Sequence, residues 1–84
     1  MKYKCPCCGY YTFAEKPDGN YDICEVCFWE DDPIQLKDLA YDGGANHVSL
    51  IQARENFFKF GACEREMIIH VRKPKPDELK GIDW

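Results

Sequence analysis

The apolar pattern of the chain changes period as it proceeds. Tyr10-Tyr11-Thr12-Phe13 is a β-prone run, Lys16-Pro17-Asp18-Gly19-Asn20 is dense in turn formers, and Tyr21-Asp22-Ile23 alternates apolar with polar. That sequence predicts a hairpin closed by a longish loop. No period holds from Glu30 to Val48, where a short strand or turn is expected at Ile34–Tyr41. A connection of that length in a small domain is packed or functional more often than idle. Leu50, Ala53, Phe57 and Phe60 then recur at helical spacing, widened by Ile51 and Phe58, with Gln52, Glu55, Asn56 and Lys59 on the wet face. Ser49 and Gln52 have the form of a capping box at the start of this helix, and Gly61 suits its C-terminal end. The phenylalanines of the stripe read as core. Cys63–Val71 predicts a second short helix, although Ile68-Ile69-His70-Val71 also suits a strand. Pro74 and Pro76 predict an extended tail over residues 72–84.

The cysteines change this picture. Cys5-Pro6-Cys7-Cys8-Gly9 and Cys24-Glu25-Val26-Cys27 supply two CxxC hooks with fifteen residues between Cys8 and Cys24. A CxxC turn lets two thiolates converge on one centre, and two such turns supply the four sulfurs of a closed tetrahedral site. Cys5, Cys8, Cys24 and Cys27 are therefore the expected metal ligands, with zinc as the expected ion and iron as the alternative. A hairpin folded at Pro17–Asn20 brings residues near 8 and 24 together, as that assignment requires. Cys7 does not ligate easily alongside both neighbours and is left as a thiol beside the metal. Cys63 reads as a small buried residue.

At 84 residues the chain is expected to be one domain with a core too thin to hold it without a staple. Six cysteines also allow an oxidised secreted scaffold. Met1-Lys2-Tyr3-Lys4 runs directly into the first hook, with no apolar leader, so a reducing cytoplasmic setting is the expectation. No stretch approaches the roughly twenty apolar residues of a membrane helix. The formal charge is −4, and four thiolates around one divalent cation take it to about −6. That balance disfavours nucleic acid, despite Arg72, Lys73 and Lys75, and favours a protein partner with a basic surface.

These residues resemble the bacterial cysteine-rich CPCC domain family. The resemblance is carried by Cys5-Pro6-Cys7-Cys8-Gly9-Tyr10, by Tyr21-Asp22-Ile23-Cys24-Glu25-Val26-Cys27-Phe28-Trp29-Glu30-Asp31-Asp32, and by Gly43-Gly44-Ala45-Asn46 with Val48-Ser49-Leu50. Ala53-Arg54-Glu55-Asn56-Phe57 and Phe60-Gly61-Ala62-Cys63 extend it, so that it covers roughly residues 3 to 74. It implies little chemistry. The hooks are also similar to the knuckles of rubredoxins and zinc ribbons, with a shorter intervening segment than in rubredoxin.

The expected fold is a small α+β metal-bound domain: a ribbon over 3–32, a loop over 33–48, a helical part over 49–71 and a tail over 72–84, the knuckled hairpin packing on one or two C-terminal helices. The expected function is a non-enzymatic structural-zinc module that docks a basic partner, one version being an immunity-type protein that neutralises a toxin. Trp29 is the expected anchor, with Glu30, Asp31 and Asp32 supplying attraction. Rubredoxin-like electron transfer and nucleic-acid binding by a zinc ribbon are the alternatives. His47 and His70 read as packing or surface residues, because no third group orients a Cys/His pair for catalysis.

Overall fold

In the computed structural model, residues 2–79 are described, and they form an α+β unit built around the two cysteine hooks. Strand β1 (Tyr3–Lys4) pairs antiparallel with β2 (Tyr11–Phe13), with Tyr3 opposite Phe13 and Lys4 opposite Tyr11. The hairpin thus turns at Cys5–Tyr10, the first hook itself. Tyr10–Phe13 does not pair with Tyr21–Ile23, as the turn-rich segment between them had suggested. Instead Ile23 bridges Glu30, and the backbone bonds Tyr21 N–H to Asp31 O (3.0 Å) and Asp31 N–H to Asp22 O (2.9 Å) close a second ribbon around the second hook. A knuckle closes a shorter loop than residues 14–20 would, at a lower entropic cost.

The two knuckles share one backbone design. Cys5 N–H donates to Tyr10 O at 2.8 Å and Cys24 N–H to Trp29 O at 2.9 Å; Gly9 N–H donates to Cys5 O at 3.0 Å and Phe28 N–H to Cys24 O at 2.7 Å. Each turn ends in a left-handed residue, Gly9 at φ 81° and Phe28 at φ 70°. Phe28 therefore stands where the first knuckle uses glycine, a conformation disfavoured for a side chain with a Cβ. Its ring stacks on His70, with centroids 5.0 Å apart.

The segment 33–48 holds a helix rather than a strand. Asp32 caps α1 (Pro33–Lys37) by accepting from Ile34 N–H at 2.7 Å and Gln35 N–H at 3.1 Å, and Pro33 opens it. Asp-Pro is a helix start signal that outweighs the β-tendency of Ile34 and Leu36. The rest of the segment is ordered by a buried polar knot. Gln35, fully buried, donates to Val48 O at 2.9 Å and Tyr41 O at 3.0 Å, while its Oε1 accepts from Asn46 Nδ2 at 2.9 Å. Asn46 in turn bonds both backbone groups of Glu30, joining the segment to the second ribbon.

Helix α2 (Leu50–Phe60) begins at Ser49, whose hydroxyl accepts from Gln52 N–H, and ends at Gly61 in the left-handed region (φ 82°). Half of the capping box is formed; the Gln52 amide reaches forward to Asn56 at 2.9 Å instead of back. Leu50 and Ala53 are buried and Phe57 packs on the core, its ring edge-on to Tyr10 at 6.1 Å. Phe58, expected to widen the stripe, is 91 % exposed because residue 58 falls on the far side of a helix that meets the ribbon through a narrow face. Arg65–His70 is a 3-10 helix, within the span expected to be helical.

The expected extended tail contains a third helix, α3 (Pro76–Leu79), lying against β2. It is pinned by Glu78, fully buried, whose carboxylate takes two parallel bonds of 2.8 Å from Arg72 and a third from Lys75 N–H. The part of the expected tail beyond Leu79 lies outside the described residues. Cys5, Cys7, Cys24, Cys27 and Cys63 form one buried cluster with Phe13, Val26, Trp29, Leu50 and Ala53, so the core is largely sulfur with few large side chains.

Candidate metal centre

The four ligands expected from the CxxC spacing converge. Cys5 Sγ lies 3.6 Å from Cys27 Sγ, Cys8 Sγ lies 3.7 Å from Cys24 Sγ, and all four sulfurs fall within 4.8 Å of one another. Four sulfurs about 2.3 Å from a shared ion stand about 3.8 Å apart in a tetrahedron. The observed separations fit that geometry and are far too long for disulfides; all six cysteines are thiols. The residues present therefore suit a tetrahedral, thiophilic ion.

The proton chemistry of the sulfurs follows from their crowding. Burial pushes the Cys5 and Cys27 thiols well above their usual pKa, and hydrogen bonding to Cys24 raises that of Cys8. Cys24 alone is pushed down, by hydrogen bonds from Cys27, Cys5 and Cys8 and by the Thr12 hydroxyl. The cluster by itself thus favours one thiolate among thiols, and only a cation lets four thiolates share so small a buried volume.

Surrounding groups orient the sulfurs. Cys7 lies outside the four-sulfur set and is buried; its backbone N–H points at Cys5 Sγ from 3.4 Å. Thr12 Oγ1 sits 3.0 Å from Cys24 Sγ. The β1–β2 register shifts beside Lys4, leaving Thr12 as the extra residue between the pairs at Phe13 and Tyr11. A bulge re-aims a side chain, and here it turns the hydroxyl to the metal ligand. Sequence reasoning placed Thr12 in a strand and gave it no role; the irregular register that recruits it has no composition signal. Cys63 N–H donates to Cys27 O at 2.8 Å, anchoring the segment after α2 to the second knuckle, and burial raises the Cys63 thiol pKa. Arg54 holds the first knuckle from α2 by donating to Pro6 O at 2.9 Å. A cavity of about 340 Å³ lined by Pro6, Cys7, Cys8, Gly9 and Arg54 leaves Cys8 the one ligand that is not fully enclosed.

The acidic aromatic edge expected at Trp29–Asp32 is not a surface. Trp29 and Asp31 are fully buried, Asp32 is 5 % exposed and Glu30 is half-buried. Asp31 accepts from Gly19 N–H (2.9 Å) and Asn20 N–H (3.2 Å), and Asp32 accepts from Ala45 N–H (2.8 Å) besides capping α1. Asp31 Oδ2 and both Asp32 oxygens are taken by backbone donors that burial deprives of water, while Asp31 Oδ1 is buried without a partner. His47 pairs with Glu64 at 3.1 Å and His70 stacks on Phe28, both apart from the sulfur cluster.

A comparison with curated proteins returns no match. The cysteine-rich CPCC family profile matches residues 3–78, a span that contains both knuckles, α1, α2, most of α3 and the four converging sulfurs. The chain belongs to the cysteine-rich CPCC family.

Proposed function

We propose that this protein is a non-enzymatic binding module whose fold is held by structural zinc. The single observation that carries the reading is the four-sulfur set: two opposed knuckles provide four thiolates, and a four-coordinate ion held by them keeps no open position for substrate. Residues 5, 24 and 27 are fully buried, which suits an ion that stays in place. A thiolate centre of this kind persists in a reducing compartment, and the cytoplasm is the proposed location.

With Trp29, Asp31 and Asp32 in the interior, the proposed docking face moves to α2. Ile51, Glu55 and Phe58 follow one another at i, i+4 and i+7 on its outer side, all exposed. An apolar stripe carrying a carboxylate, on a chain of formal charge −4, suits a partner with a basic, apolar-edged surface, a secreted toxin being one version. Metal analysis and absorption spectra of the chain purified from its source test the metal assignment. Zinc in one equivalent without visible colour is expected; iron with thiolate charge-transfer bands would instead make this an electron-transfer protein. Photo-crosslinking from position 58 tests the face: the expected adduct is a basic protein whose binding weakens with salt and with Glu55→Lys, and binding indifferent to both would end the proposal.

A further inference from the structure

We propose that His47, Glu64 and Glu66 form a second, exchangeable site for a divalent first-row transition-metal ion, distinct from the four-cysteine centre. One ligand atom from each of the three falls within 4.8 Å of the others, and His47 Nδ1 lies 3.1 Å from Glu64 Oε1. Two donors about 2.1 Å from one ion are about 3.0 Å apart at a right angle and about 3.4 Å apart in a tetrahedron. The imidazole and the carboxylate are therefore already at ligand-to-ligand distance.

Glu64 is built into place independently of that proximity. Its side chain is only 7 % exposed, and the backbone N–H of His47 donates to Oε2 at 3.1 Å, which turns Oε1 towards the imidazole. A carboxylate so far out of water ordinarily has a lysine or arginine beside it. Among the described residues the only ion-pair partner of Glu64 is His47, which is charged only when protonated, and Glu66 has none. One buried carboxylate, one exposed carboxylate and one imidazole thus share a small volume with an excess of negative charge.

The donor set is nitrogen and oxygen, harder than the thiolates of the main centre, and suits ions such as nickel(II), cobalt(II) or zinc(II). The His47 side chain is 73 % exposed, so water completes the coordination and the ion exchanges freely. Glu64 directly follows Cys63, whose N–H is fixed to Cys27 O, so the site takes shape only when the second knuckle is assembled.

Nickel(II) titrated into the zinc-loaded full chain, read by native mass spectrometry and calorimetry, tests this. The expected product carries one zinc and one nickel. Because Glu64 is buried, the test rests on the exposed pair: His47→Gln and Glu66→Gln should each weaken nickel binding about tenfold or more, with zinc retained and the melting temperature of the zinc form unchanged. A wild-type chain that takes up no second ion at saturating nickel overturns the proposal, and so does a nickel ion that either variant holds as tightly as the wild-type chain does.

Discussion

Thr12 shows how a single side chain can act on a candidate ligand from outside the four-sulfur set. Its hydroxyl, 3.0 Å from Cys24 Sγ, is placed to donate to a thiolate and so to favour the metal-binding form of that cysteine. Thr12→Val keeps the shape and removes the donor; metal affinity should fall about tenfold with one ion still bound, as measured by competition with a chromophoric chelator. Gly9 and Phe28 occupy matching left-handed positions, and only one of them is glycine. Gly9→Ala should cost about 1–2 kcal/mol in chemical denaturation of the metal-loaded protein, because it imposes on the first knuckle the strain that the second already tolerates. Cys7 contributes to its knuckle through the backbone N–H, and its thiol lies outside the four-sulfur set, so its replacement is expected to be chiefly a packing change.

Among the elements, α2 was the most legible. A stripe at helical spacing, a serine before it and a glycine after it are local signals, and the helix runs from Leu50 to Phe60 between them. Helices α1 and α3 differ from the strand or turn expected at Ile34–Tyr41 and the extended tail expected from Pro74 and Pro76. Both open on a proline, Pro33 and Pro76, at a position where the missing N–H costs nothing. The segment between α1 and α2 depends on Gly44 as well as on Gln35 and Asn46. A Cβ at Gly44 would lie 2.6 Å from Asp32 Oδ2 and 2.8 Å from Gln35 Oε1. Gly44→Ala should therefore displace the buried amide knot and cost about 1–3 kcal/mol in thermal or denaturant unfolding, while the same change at Gly43 meets only the end of the Tyr41 side chain and is milder.

For the whole molecule, the proposed metal would couple binding to folding. The core is a sulfur cluster with few large apolar side chains around it, and an ion held by the four thiolates would supply what that core lacks. Cys24→Ser should abolish metal binding and the cooperative melt, whereas Cys7→Ser should retain both; metal content and calorimetry on the two variants decide this. Acid acts in one direction at several places. Thiols raised by burial must lose protons to bind metal, so affinity falls as the pH is lowered. The Arg72 guanidinium holds Glu78 down at about 2 against a usual 4.5. A carboxylate depressed in the folded state contributes stability that is complete above 4.5 and lost as the pH falls towards 2. Burial raises Asp32, but the N–H groups of Ala45, Gln35 and Ile34 outweigh it, and the net depression has the same sign. Glu78→Gln should cost about 2–3 kcal/mol near neutrality, with the gap to wild type narrowing below about pH 4.5 in chemical denaturation.

The linear chain determined which four cysteines converge and where α2 runs, because CxxC spacing and a capped helical stripe involve residues within a few positions of one another. Its small size also leads to the expectation of a staple. Tertiary structure alone decided what the acidic run at Glu30–Asp32 is for. The Asp31 and Asp32 carboxylates are solvated charges or backbone acceptors depending on which donors surround them, and besides the local cap donors Ile34 and Gln35 those donors are Gly19, Asn20 and Ala45, distant in sequence. Thr12 became a partner of Cys24, Gln35 became a buried strut and His47 met Glu64 for the same reason. Such contacts exist only once separate segments are brought together, and the energy that selects them is the cost of leaving a buried polar group unpaired.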